Sequence, residues 1–138
     1  MVVSVDRENT TKLATKRINE LIERDDVISA LLLASIYAHM RLRTLITLQL
    51  RPSKKHWREI ANSFNSGGSI LGYGALVSVC NKLELVQNED KEQLKDLWRL
   101  RNSIAHETDI WKGITKDDEK EMKALCNFTI EFLKKTNH

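Results

Sequence analysis

Pro52 is the first proline or glycine in this chain, and the only proline in its 138 residues. Five glycines follow it. A chain with so few breakers is built from long helices, because sheets of many short strands need frequent turns. The length suits one domain with a substantial core. Hydrophobic residues make up 41% and charged residues 30%, as in ordinary globular domains. The formal net charge is +3 with a pI near 8.9, which permits an anionic partner without requiring one.

Apolar spacing divides the chain into helices. Residues 1–9 show no helical pattern and read as a frayed N-terminus. From Thr11, the residues Leu13, Ala14, Ile18, Leu21 and Ile22 recur every three or four positions, the stripe of an amphipathic helix ending near Arg24. Asp25 and Asp26 follow, where carboxylates favour the positive end of the next helix dipole. The segment from Val27 to about Leu50 is apolar nearly all round in its first half, as the central helix of a bundle is.

Pro52 stops that helix, and Ser53 is a candidate cap for a short helix over 54–64 with Trp57, Ile60, Ala61 and Phe64 on its inner stripe. "NSGGS" at 65–69 is a loop. Gly72 and Gly74 lie within the apolar run "ILGYGALVSVCNKLELV". Glycine inside a helix costs about 1 kcal/mol relative to alanine, so another helix backbone is expected to approach closely there. A strand over 75–80 is the alternative, weakened by the lack of a partner strand.

A loop over 87–90 precedes a helix marked by Leu94, Leu97, Trp98, Leu100 and Ile104. "ETDIWKGI" breaks the pattern. Thr115 and Asp118 then form a near capping box for a last helix, whose stripe is Met122, Leu125, Cys126, Thr129, Phe132 and Leu133. The expected fold is all-α, an antiparallel bundle of four to five helices in a single domain over 10–138.

Several chemistries lack their sequence patterns. There is no P-loop, no GxGxxG and no HExxH. Cys80 and Cys126 lie far apart, without CxxC or Cys/His spacing, and read as buried reduced thiols rather than zinc ligands. No metal and no cofactor is expected. The N-terminus lacks the charged and apolar regions of a secretory signal. The apolar stretch Val27–Ala38 is short for a bilayer and is followed by His39, Arg41 and Arg43. A cytoplasmic protein without a membrane partner is therefore expected. Arg41, Arg43, Lys54, Lys55 and His56 read as solvated surface. His39, Trp57, Trp98 and Trp111 read as packing groups.

One constellation remains. In "LWRLRNSIAHE", Arg101, Asn102 and His106 stand beside the buried stripe of Leu97, Leu100 and Ile104. At ~100° per residue, Asn102 and His106 differ by about 40° and share a helix face, whereas Arg101 lies about 140° from His106 and reaches that face only through its long side chain. Arginine presents a fork of donors to phosphate oxygens. Histidine moves protons near neutral pH. The plainer reading is a helix C-terminus, where Arg and His favour the dipole.

"RNSIAH" resembles the R-x4-H signature of the HEPN superfamily, in which a polar residue, often Asn, follows the arginine. The setting is similar too: an all-helical chain, the motif at the end of a late helix, and one further helix after it. "GGSILGYGALVSVCNKLEL" also resembles the helix that leads into the motif in several HEPN branches. The resemblance implies an HEPN-like bundle and a metal-independent endoribonuclease. In that family the RNA 2′-hydroxyl attacks the adjacent phosphorus, leaving a 2′,3′-cyclic phosphate and a 5′-hydroxyl. Carried over, His106 is the acid–base group, Arg101 holds the phosphate charge and Asn102 supports the geometry. The implied partners are single-stranded RNA, a second copy of the chain, and a separate antitoxin or regulatory protein if the chain is the toxin of a toxin–antitoxin or phage-defence pair. The rival expectation is a non-catalytic HEPN-like interaction or regulatory module, as in the mannitol-operon repressor family, which has a related helical layout.

Overall fold

Two adjacent aspartates divide the work of turning the chain between its first two helices. In the computed structural model, which describes residues 2–50, 72–106 and 113–137, α1 spans Val2–Glu23 and α2 spans Val27–Leu50. Asp25 takes a left-handed conformation at φ 58°. The Asp26 N–H donates to the Leu21 carbonyl at 2.9 Å and the Asp25 N–H to the Ile22 carbonyl at 3.0 Å. This pairing satisfies carbonyls that the end of α1 leaves open. Asp26 then caps α2, its Oδ1 accepting from the Ser29 N–H at 3.2 Å.

The segment 1–9, expected to fray, is helical from Val2 onward. No breaker lies within it, and adding residues to an existing helix is far easier than starting one. Leu13 departs from the expected stripe and is exposed, whereas Ala14 and Ile18 are buried.

Among the described residues there are five helices and no strand. The remaining three are α3 at Tyr73–Lys82, α4 at Asn88–His106 and α5 at Lys116–Lys135. The chain therefore has the all-α class, and the alternative strand over 75–80 is replaced by α3. The short helix expected over 54–64 lies outside the described residues, as do Trp57 and Trp111.

The chain gathers into two compact units, Met1–Ala38 with Asp96–His138, and His39–Lys95. In the first unit α1 packs against α5. The Thr11 hydroxyl donates to Asn137 Oδ1 at 2.6 Å. Thr115 caps α5 as expected, accepting from the Asp118 N–H at 3.0 Å. Ala30, Leu31, Ala34, Leu97, Ile104, Leu125 and Phe132 are all buried, as their spacing predicts. Arg99 bridges α4 to α5 through Glu121 at 2.9 Å, an exposed pair that contributes little to stability.

In the second unit the Tyr73 hydroxyl donates to the Leu94 carbonyl at 3.0 Å. His39 meets the Tyr73 ring edge-on at 5.6 Å between centroids. Arg41, expected on the surface, is buried, and Arg43 is half-buried. Glu84 ends α3 in the left-handed region at φ 61°, and the Leu85 N–H donates back to the Cys80 carbonyl at 2.9 Å. Asn81 then donates to the Val86 carbonyl and to Asn88 Oδ1, both at 2.9 Å, fixing the path from α3 into α4.

Among the described residues, no close helix approach of the kind expected is seen at Gly72 or Gly74. A Cβ at either glycine meets nothing within 4 Å among the described residues. Gly72 is the extended N-cap of α3, and Gly74 lies in its first turn with its backbone exposed. Gly74→Ala is therefore expected to stabilise the protein by roughly 0.5–1 kcal/mol in urea denaturation, the usual helix gain of alanine over glycine. A loss of stability would restore the close-approach explanation.

The apolar stretch that was expected to end at Ala38 continues to Gln49. This 23-residue span is long and apolar enough to cross a membrane, and half of it is buried within the protein. The core helix of a soluble protein passes the same test. Leu42, Leu45 and Ile46 carry the apolar character past His39, Arg41 and Arg43, which is why the shorter estimate fails.

Candidate functional site

α4 presents two kinds of surface in its last turns. Leu97, Leu100 and Ile104 are buried and anchor the helix. Arg101, Asn102 and Ser103 are half-buried, and Ala105 and His106 are exposed. The anchoring residues and the chemistry-bearing residues thus alternate as the helical period requires.

The structure joins two of the three candidate residues. Arg101 Nη1 donates to Asn102 Oδ1 at 3.1 Å. The Arg101 guanidinium also lies over the Trp98 ring, with Cζ 4.6 Å from the ring centroid. His106 occupies the last position of α4, one turn beyond Asn102. Among the described residues no hydrogen bond joins His106 to either Arg101 or Asn102. The arginine that the sequence places on a different face from His106 is therefore held toward Trp98 and Asn102.

Trp98 is the group that sequence reasoning missed. It reads as core by its spacing, yet it is half-buried beneath a cation. The available signal is its position three residues before Arg101, which puts the two side chains on neighbouring turns.

Other reactive groups lie elsewhere in the fold. Burial pushes the Cys80 and Cys126 thiols up from about 9 to about 12. Neither supplies a thiolate nucleophile near neutral pH. Burial likewise pushes the Tyr73 phenol upward. Among the described residues, no group of three or more His, Cys, Asp and Glu side chains is gathered as a metal centre needs.

The thiols lead to a pH prediction. Their folded-state values exceed their unfolded ones, so below about pH 9 both states are protonated and the stabilisation is complete. Between about pH 9 and 12 the unfolded chain releases protons that the folded chain retains, and stability falls. A thiol-reactive dye at pH 8 is expected to label neither cysteine in the folded protein and both after denaturation. Rapid labelling of the folded protein would contradict their burial.

No protein-family model, curated protein or solved structure matches this chain.

Proposed function

We propose that the chain is an HEPN-type helical domain that cleaves single-stranded RNA without a metal ion. The observation that carries this reading is the arrangement on α4. Arg101, Asn102 and His106 stand at or near the surface, while Leu97, Leu100 and Ile104 hold the helix in place. Among the described residues, the all-helical character and the one helix following the motif are consistent with that family's layout.

The reaction needs two proton transfers. A base takes the proton of the 2′-hydroxyl as its oxygen attacks phosphorus. The P–O5′ bond breaks, and an acid gives a proton to the departing 5′-oxygen. The products are a 2′,3′-cyclic phosphate and a 5′-hydroxyl. His106 fills one of these roles, and Arg101 balances the charge that builds on the phosphate oxygens. One motif supplies one histidine, so a two-fold homodimer that faces two copies of His106 across a shared cleft supplies both groups.

The test uses wild-type protein in excess EDTA. It is expected to cut single-stranded RNA and to spare DNA of the same sequence, which lacks the nucleophile. Light scattering at micromolar concentration is expected to give twice the 15.9 kDa chain mass. Cleavage of the DNA would exclude 2′-hydroxyl attack, and a strict monomer would remove the composite site.

A second reading is favoured by a different observation. Ile36 on α2 is 55% exposed, Met40 one turn later is 47% exposed, and Leu13 on α1 is 43% exposed. Large apolar side chains in solvent fit a non-catalytic module that binds another protein. Under that reading Arg101 and His106 serve only the end of α4, and the RNA remains intact.

A further inference from the structure

The Arg101 guanidinium lies over the Trp98 ring, with Cζ 4.6 Å from the ring centroid. An aromatic ring attracts the flat face of the cation. A phosphate takes the N–H groups at its edge, two at a time. The two interactions can therefore coexist on one arginine. Asn102 Oδ1 accepts from Nη1 at 3.1 Å, a second contact that restricts the guanidinium plane. The remaining edge donors lie in that plane. A free arginine side chain would otherwise sample many rotamers, and an ordered fork loses less freedom when it closes on its ligand.

Resting on the ribonuclease reading, we propose that Trp98 is a positioning residue: its indole face is the shelf that holds Arg101 edge-on to the scissile phosphate. The two side chains belong to the same stretch of α4, with the Arg101 Cζ 4.6 Å above the ring. Trp98 acts on the phosphate only through Arg101. This separates it from a base-stacking role, in which the indole would touch the nucleic acid directly.

The experiment compares wild type with Trp98→Ala, Trp98→Phe, Arg101→Ala and the Trp98→Ala/Arg101→Ala double variant. Cleavage of single-stranded RNA gives kcat and KM. Fluorescence anisotropy gives the affinity for a 2′-O-methyl RNA that cannot be cut by 2′-hydroxyl attack, and circular dichroism follows melting. Trp98→Ala is expected to lose about threefold to tenfold in kcat/KM, the range open to a half-buried cation–π contact, with most of the loss in kcat. Trp98→Phe, which keeps a ring face, is expected to stay within about twofold of wild type. The double variant is expected to be no worse than Arg101→Ala, since without the arginine the shelf has nothing to hold.

Wild-type rates in Trp98→Ala would overturn the proposal and leave the ribonuclease reading standing. So would a Trp98→Ala loss that persists on the Arg101→Ala background, or one that lies in KM and oligomer affinity, because either would place the indole on the RNA. Early melting of both single Trp98 variants would assign the ring to packing. A wild-type protein that neither binds nor cuts RNA would remove the ribonuclease reading itself, and this role with it.

Discussion

His106→Ala is expected to lower RNA cleavage by roughly 10²–10⁴-fold, the scale on which a positioned acid–base group acts. An imidazole can both accept and donate a proton, which a guanidinium and an amide cannot do in this role. Arg101→Ala is expected to cost about 10²–10³-fold, as for other groups that stabilise charge developing in a transition state. His106 is exposed and Arg101 half-buried, so the melting temperature of either variant should stay close to that of wild type. Gel-resolved cleavage rates beside thermal melts separate the two effects. Variants that melt early and a wild type that leaves RNA intact would make both residues structural groups at a helix end.

Phe132→Ala is expected to show the reverse pattern, with a stability loss of roughly 3–5 kcal/mol. Phe132 is among the largest fully buried side chains, and its ring stacks on Phe128 at 5.9 Å between centroids. Its removal costs the transfer free energy of the ring and also leaves a cavity that surrounding α-helices close only in part. Against a total stability of about 5–15 kcal/mol, such a loss depopulates the folded state at moderate urea. Leu13→Ala serves as the control. Leu13 lies on a helix but is 43% exposed, and its truncation should stay within about 0.5 kcal/mol. Equal losses at the two positions would place the core elsewhere.

The same contrast shows what the sequence can disclose. Burial along α4 and α5 was legible because Leu97, Ile104, Leu125 and Phe132 recur at the helical period, and that period fixes where each Cα–Cβ bond points. The Thr115 cap was legible because its chemistry acts over three residues. Gly72 and Gly74 misled. A glycine in an apolar run fits both a close neighbour and an open first turn, and only the surroundings of its missing Cβ distinguish them. The membrane-length span was underestimated because three charged or titratable residues after Ala38 hid the apolar positions beyond them. Asp25 carries a turn as well as a charge, a role set by backbone conformation that its type permits but does not announce.

The site was half-legible for a related reason. Spacing put Asn102 and His106 on one face and showed that Arg101 needed its reach to join them. It did not show where the arginine rests, because a side chain with four rotatable bonds has many ends for one Cα position. The indole of Trp98 and the amide of Asn102 select among them, and both lie within three residues of Arg101 on the same helix.

Under the proposed function, the RNA's own 2′-oxygen is the nucleophile at this site. The most direct measurement pairs one single-stranded RNA with its fully 2′-O-methylated copy, both incubated with wild-type protein in excess EDTA, followed by end-group analysis of the fragments. The unmodified strand is expected to be cut to 2′,3′-cyclic-phosphate and 5′-hydroxyl ends, and the methylated strand to stay whole. Cleavage of both strands, or fragments bearing 5′-phosphates, would contradict it, as would an unmodified strand left intact.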